Sequence, residues 1–184
     1  IKWKNDEEDW PELVNNMQHR IGLNSGEIVT GNMGSELKMN YTCMGDDVNA
    51  TQRLESSAKQ WGIIIQVSKS IYDKAKDHFL FRDLGAIRVV GKSEPISTYE
   101  LICRKSESHS KIEKLLALFD NGRELYLQQK WDKAVEIFQE ANKLEDMFKG
   151  RKTNPSLVYI DRCKEFKENP IAGNWDGVYT LTKK

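Results

Sequence analysis

One predicted helix of this chain carries an amide and a guanidinium side chain one helical turn apart. Asn49 and Arg53 are four residues apart, so a helix that begins near residue 46 presents both on the same face. A guanidinium is planar, permanently charged and able to form paired hydrogen bonds with phosphate or carboxylate oxygens. Two polar residues at this spacing are also common on a solvated helix face, so the spacing alone leaves the function open.

The elements that would position this helix alternate between residues 19 and 103. Segments with β-rich composition or a period of two are 20–23, 27–30, 38–44, 62–67, a strand that begins at 79, and a hairpin formed by 87–90 and 96–102. Segments predicted as helices are 46 to about 61, and 68–76 with Ser68 as its cap. The mixture predicts an α+β arrangement of short strands and two helices.

The first turn of the longer helix contains two carboxylates, Asp46 and Asp47. Asp is a favoured N-cap residue, and acidic residues in the first turn complement the helix dipole. We therefore predict that these two residues cap the helix and do not bind a metal. Val48, Leu54 and Ala58 are the candidate core positions of the same helix.

Composition limits the class of protein. The chain has 184 residues, with 28 basic and 28 acidic side chains and a formal net charge of zero. This balance argues against nucleic acid as a partner, because neutralising phosphates requires an excess of Lys and Arg. The three cysteines form no CxxC pair and no zinc pattern, which fits a reducing compartment. With no long apolar run and no signal peptide, we expect a cytoplasmic location, or the cytoplasmic side of a membrane if an anchor lies elsewhere.

Beyond residue 103 the sequence becomes a polar linker and then helical. The linker is 104–110, and the predicted helices are 111–128, 131–144 and 155–168. Residues 174–179 contain two aromatic side chains beside a turn, which predicts a tail that docks on the domain. The opening residues 1–18 are polar and begin with Ile, so we interpret them as a loop internal to a longer chain.

The first two helices of this extension partly match a tetratricopeptide repeat. Gly122, Ala134, Phe138 and Ala141 fall where such repeats place small and aromatic residues. Small side chains let two antiparallel helices approach, while Phe fills the remaining gap. A single repeat cannot bury its own apolar face, so we expect it to pack on the third helix or on the preceding domain.

Residues 20–55 read RIGLNSGEIVTGNMGSELKMNYTCMGDDVNATQRLE, and this stretch resembles the second half of class III adenylate and guanylate cyclase domains. That family has a glycine-rich double strand, then Tyr-Thr, then Gly-Asp-x-Val-Asn-x-x-x-Arg-Leu-Glu. The likeness continues through residues 63–68 and the turn at 90–92. It implies the C-terminal part of a ferredoxin-like cyclase domain over 19–103, followed by a linker and a small all-α extension over 111–184.

The resemblance also implies roles for single residues. Asn49 would orient the ribose, and Arg53 would steady charge on the α-phosphate as the ribose 3′-hydroxyl attacks. Thr42 would contact the purine, and its hydroxyl suits adenine because it both donates and accepts hydrogen bonds. Guanylate cyclases tend to have Cys there, but Cys43 would point to the opposite face of the strand. Lys38 is a weaker candidate for a phosphate contact, since relatives often have Arg at or beside its place.

Cofactor and partner expectations follow from the same resemblance. Family members hold two metal ions with two Asp residues on earlier strands, and a Lys that reads the purine also precedes this region. Those motifs do not occur in this sequence, so the ligands of two Mg²⁺ or Mn²⁺ ions are expected upstream. This segment is assigned no metal ligand and is expected to be inactive alone. The family's site forms between two protomers of a homodimer.

The resemblance thus predicts an adenylate cyclase fragment that makes cyclic AMP and pyrophosphate from ATP. Its expected partners are ATP, a second protomer and, as an open alternative, a protein bound by the extension; bacterial members carry a similar extension. Two other functions stay open. One is guanylate cyclase activity, and the other is a catalytically degenerate cyclase fold that acts as a signalling scaffold.

Overall fold

The computed structural model describes residues 19–88, 95–171 and 175–180. The strands of this part are β1 (Ile21–Leu23), β2 (Val29–Ser35), β3 (Lys38–Met44), β4 (Ile65–Ser68), β5 (Phe79–Arg88), β6 (Ile96–Arg104) and β7 (Tyr179–Thr180). The helices are α1 (Asp46–Trp61), α2 (Lys69–Ala75), α3 (Ser110–Leu127), α4 (Trp131–Asn142) and α5 (Pro155–Glu168), with short 3-10 helices at Lys105–Glu107 and Glu145–Met147. The predicted α+β class with a helical C-terminal part is confirmed.

Five of the described strands form one sheet in the order β1-β4-β6-β5-β7. The β1–β4 and β5–β7 pairs are parallel, whereas β6 is antiparallel to both β4 and β5. Strands β2 and β3 form a separate antiparallel hairpin. The two strands predicted on either side of the turn at residues 24–26 therefore belong to different sheets. Residues 89–90, the second half of the predicted strand 87–90, lie outside the described residues.

The loop between β1 and β2 leaves the main sheet because its side chains bond to two helices. The Asn24 amide Nδ2 donates to Asp47 Oδ1 of α1 at 3.1 Å. The Ser70 hydroxyl of α2 bonds to Asn24 Oδ1 at 3.3 Å and to the Ser25 carbonyl oxygen at 3.1 Å. These bonds direct the chain away from the sheet edge and into the hairpin.

The predicted cap of α1 is wrong, whereas Ser68 occupies its predicted N-cap position. Helix α1 has Gly45 at its N-cap position with φ 150°, and no side chain caps it. Asp46 and Asp47 lie in its first turn instead, where they complement the helix dipole. Ser68 does occupy the N-cap position of α2, but its hydroxyl makes no cap bond and lies 2.8 Å from Ser70 Oγ. In both helices, neighbouring polar groups engage the predicted capping side chain.

One apolar core joins the sheet region to the extension. Its buried members are Ala58, Trp61, Ile63, Leu84, Ile87, Phe119, Tyr126, Ala134, Phe138, Tyr159, Ile160 and Cys163. Of the core positions predicted on α1, Leu54 and Ala58 are buried and Val48 is half-buried. The extension packs on its own third helix and on the cyclase-like part, as expected. A Cβ on Gly122 would lie 2.7 Å from the Phe138 ring, so the small residue permits this helix contact.

The C-terminal tail docks on the extension and on the sheet, which confirms that prediction. Trp175 packs against the rings of Tyr126, Phe166 and Trp131, with centroid distances of 5.0, 5.5 and 5.6 Å. Strand β7 then adds to the edge of the sheet beside β5. The tail thus covers one sheet edge and closes the aromatic core of the extension.

A buried ionic cluster forms the second junction between the sheet and the extension. Arg82 of β5 is fully buried, and its Nε lies 3.1 Å from Glu100 Oε2 of β6. The same guanidinium pairs with Glu145, whose Oε2 accepts a hydrogen bond from Nη2 at 3.2 Å. Arg151 pairs with Glu100 and lies 3.6 Å from Glu145 Oε2. Burial alone would lower the pKa of Arg82, but Glu100 and Glu145 outweigh burial and raise it.

Helix α1 lies directly on the edge strand β1. A Cβ on Gly22 would lie 2.5 Å from the carbonyl oxygen of Thr51 and 2.6 Å from the backbone nitrogen of Glu55. Only a glycine therefore allows the strand and the helix to approach this closely. The lack of a side chain at Gly22 therefore determines how closely α1 packs against β1.

We predict that Glu145→Ala lowers the free energy of unfolding by about 3–5 kcal/mol, because it leaves Arg82 buried with one counter-ion fewer. Urea unfolding followed by circular dichroism measures this change. Asp146→Asn is the matched control, since the neighbouring Asp146 forms an exposed pair with Lys111 and should leave the midpoint nearly unchanged. Equal midpoints for the two variants would contradict the role given to the cluster.

We predict that Gly22→Ala destabilises the protein by about 1–3 kcal/mol, because the added methyl group overpacks the contact between β1 and α1. Gly31→Ala is the control, since a Cβ at Gly31 meets nothing within 4 Å. The melting temperatures of the two variants, measured by thermal unfolding, test this prediction. A Gly22→Ala protein as stable as Gly31→Ala would show that α1 does not contact β1 so closely.

Candidate active site

Helix α1 presents the predicted site residues on a face that differs from its core face. Leu54, Ala58 and Trp61 point into the protein and are buried. The helix ends at Gly62, whose φ of 66° is left-handed and whose N–H bonds back to the last turn. Asn49 and Arg53 lie one turn apart, with Asn49 exposed and Arg53 half-buried. The two groups are therefore held on a rigid element and open to a ligand.

One guanidinium nitrogen of Arg53 has no described hydrogen bond, as is also true of single nitrogens of Arg82, Arg123 and Arg151. The Arg53 Nη1 atom is buried and has no hydrogen-bond partner among the residues that the structure describes. Leaving a buried donor unpaired costs on the order of 1–3 kcal/mol, and more when the group is charged. No described residue therefore accounts for this donor, and the Arg53 side chain as a whole is half-buried.

The other two predicted site residues lie on the β2–β3 hairpin. Thr42 pairs with Gly31, and Lys38 pairs with Ser35 near the hairpin turn. Thr42 and Lys38 are four residues apart on one strand, so they share a face, whereas Cys43 points to the opposite face. All seven residues of β3 are exposed.

The structure therefore forms two pairs of predicted site residues, one on α1 and one on β3. No described hydrogen bond or ion pair joins the two pairs. A cavity of about 930 Å³ lies on another side of α1, and its lining includes Ile21, Ile28, Cys43, Val48 and Ile71. None of the four predicted site residues lines that cavity.

Sequence reasoning missed the residues that hold α1 at its first turn. Asn24 donates both to the Asp47 carboxylate and to the Asp47 carbonyl oxygen, at 3.1 and 3.3 Å. The Thr51 hydroxyl donates to the same carbonyl oxygen at 2.7 Å. Asn24 lies in a turn that the sequence did predict, but its partner is 23 residues away, so no local pattern marks the bond.

Among the described residues, no group of three or more His, Cys, Asp or Glu side chains could hold a metal ion. The described residues therefore offer no candidate metal centre, and no chemical step is assigned through a metal ion. The described helices include none that is both long and apolar enough to cross a bilayer.

Comparisons with known proteins extend these findings. The model of the adenylate and guanylate cyclase catalytic domain family matches residues 3–133. The terminal-differentiation specific adenylate cyclase of Dictyostelium discoideum is 31% identical over 147 residues, which are 78% of this chain and 7% of that protein. Adenylate cyclase 1 of Rhizobium meliloti is 35% identical over 83 residues, which are 45% of this chain and 12% of that protein.

A solved structure, that of the adenylyl cyclase CyaB from P. aeruginosa, is 33% identical with a TM-score of 0.40, covering 48% of this chain and 42% of that chain. This chain thus spans a small part of the two curated relatives and less than half of the solved one. The family match alone covers more than half of the residues in the chain. This chain belongs to the family of adenylate and guanylate cyclase catalytic domains.

Proposed function

We propose that the intact protein is an adenylate cyclase that converts ATP to 3′,5′-cyclic AMP and pyrophosphate. The ribose 3′-oxygen forms a bond to the α-phosphorus, and the bond from that phosphorus to the oxygen of the β-phosphate breaks. The proton of the 3′-hydroxyl is lost, and no residue described here is assigned to accept it. This chain would contribute the residues that hold the nucleotide.

The observation that carries this proposal is the position of Asn49 and Arg53, one turn apart on α1 and inside the stretch that the family model matches. In the transition state, negative charge spreads over the phosphoryl oxygens, and a preorganised donor aimed at that charge lowers the barrier. Asn49, one turn away on the same face, would hold the ribose so that its hydroxyl faces the phosphorus.

ATP is the proposed substrate because of the hairpin residue Thr42. Its exposed hydroxyl can both donate to and accept from the adenine edge. Lys38, on the same face of β3, is proposed as an additional phosphate contact. Cys43 points to the other face of β3 and lines the cavity beside α1, which supports assigning the base contact to Thr42. The family also contains guanylate cyclases, so GTP is the alternative substrate.

The proposed site lies between two protomers. The hairpin exposes large apolar side chains, including Val29, Met39, Tyr41 and Met44. An isolated two-stranded hairpin is marginally stable in water, so a covering surface is needed, and a second protomer would supply it. Mg²⁺ or Mn²⁺ ions would neutralise the triphosphate when bound, held by residues outside those described.

Cys43, Cys103 and Cys163 are all free thiols, which supports the proposed cytoplasmic location.

We predict that Arg53→Ala in the intact protein lowers kcat for cyclic AMP formation about 100- to 1000-fold, because a transition-state donor is lost. Arg53→Lys should recover little of this rate, since an ammonium cannot reproduce the planar fork. Chromatographic quantification of cyclic AMP made from ATP gives these rates.

Gln60→Ala is the control for that experiment, because Gln60 is exposed on the same helix and has no proposed contact with the nucleotide. Equal turnover by Arg53→Ala and Gln60→Ala would remove Arg53 from the mechanism. Faster turnover of GTP than of ATP by the unmodified protein would replace the adenylate assignment with guanylate cyclase activity. No turnover of either nucleotide would favour a catalytically degenerate signalling scaffold.

A further inference from the structure

The C-terminal end of α1 is enclosed by the helical extension. Trp61 is 1% exposed, and its ring packs against that of Tyr159 with centroids 5.8 Å apart. The Arg162 guanidinium lies 4.5 Å from the Trp61 ring centroid. At the next residue, a Cβ on Gly62 would collide with the backbone of Thr153. The helix that carries Asn49 and Arg53 therefore ends inside the extension.

Arg162 joins three elements at this point. It belongs to α5, and its guanidinium lies over Trp61 of α1, over Tyr159 of its own helix and over Tyr179 of β7. The distance to the Tyr179 ring centroid is 4.0 Å. Arg162 is buried, and the attraction between a cation and an aromatic ring is stronger when both are removed from water. A displacement of α5 or of the C-terminal tail would therefore disturb the contacts of Arg162 with the C-terminal end of α1.

A row of polar residues across the sheet provides a second link between α1 and the extension. The Ser57 hydroxyl of α1 donates to Gln66 Oε1 of β4 at 3.2 Å. Gln66 lies opposite Glu100 of β6 in the strand register, and Glu100 forms an ion pair with Arg82 of β5. Arg82 in turn bonds to Glu145 in the extension. These positions face the same side of the sheet because paired residues of adjacent strands share a face.

We infer that the helical extension is a positioning element of the catalytic site, and that Arg162 is its main positioning residue. Arg53 precedes Trp61 by eight residues, which is about 12 Å along a helix. A tilt at the Trp61 end would therefore displace the Arg53 guanidinium, and a misplacement of about 1 Å costs roughly 100-fold in rate. The catalytic consequence rests on the proposed function, whereas the hold of the extension on α1 does not.

Hydrogen exchange and turnover of the intact protein test this inference together. Arg162→Met removes the charge but keeps a long side chain, and it should speed amide exchange of residues 46–61 about 10-fold or more. It should lower kcat for cyclic AMP formation about 10- to 100-fold and change KM less than about threefold, since the transition-state contact is the one displaced. Arg162→Lys keeps a cation over the rings and should restore most of both properties.

Leu115→Ala controls for loss of stability, because Leu115 is buried in α3 but lies outside the core cluster that contains Trp61. At a matched loss of melting temperature, it should leave kcat and the exchange of residues 46–61 near their unmodified values. Unchanged exchange in Arg162→Met, or equally fast exchange in Leu115→Ala, would overturn the inference. If the unmodified protein makes no cyclic nucleotide, the proposed function fails, and the exchange measurement still decides whether Arg162 holds α1.

Discussion

Four charged side chains between the sheet and the extension, three of them buried, fix how the parts of this protein fit together. Arg82 and Arg151 neutralise Glu100 and Glu145, and the Arg82 guanidinium also lies 5.0 Å from the centroid of the Phe119 ring. Two of these residues come from the sheet and two from the segment after α4. Losing one of these partners while the others stay buried would leave a charge uncompensated, which costs about 3–5 kcal/mol. The extension is therefore a structural part of the domain.

Helix α1 connects this packing of the extension on the sheet to the proposed site, because it carries Asn49 and Arg53. Asn24 holds the first turn of the helix through Asp47, Gly22 lets its middle lie on β1, and Trp61 holds its last turn under the extension. Between these contacts the helix presents one face to solvent, and the proposed ligand-binding residues Asn49 and Arg53 are on it. A catalytic group placed in this way keeps its geometry without a ligand, which is what preorganised electrostatic catalysis requires.

The sequence predicted the features whose signals are local. The alternation over Lys38–Met44 gave that strand, the 46–61 pattern gave α1, and the four-residue spacing put Asn49 and Arg53 on one face. The sequence did not predict contacts between residues that are far apart along the chain. The Asp47 carboxylate bonds to Asn24 and does not cap its helix, and Arg82 pairs with a residue 63 positions away. Such contacts leave no period in a sequence, and neither does the unpaired Arg53 nitrogen.

A crystal structure of the intact protein with a non-hydrolysable ATP analogue would show whether α1 binds the nucleotide. We expect a guanidinium nitrogen of Arg53 to lie about 2.7–3.2 Å from an α-phosphate oxygen, within hydrogen-bond distance. We also expect Asn49 to contact the ribose of the same nucleotide. A nucleotide bound with its phosphates away from α1, and with Arg53 still lacking an anionic partner, would rule out the proposed roles of both residues.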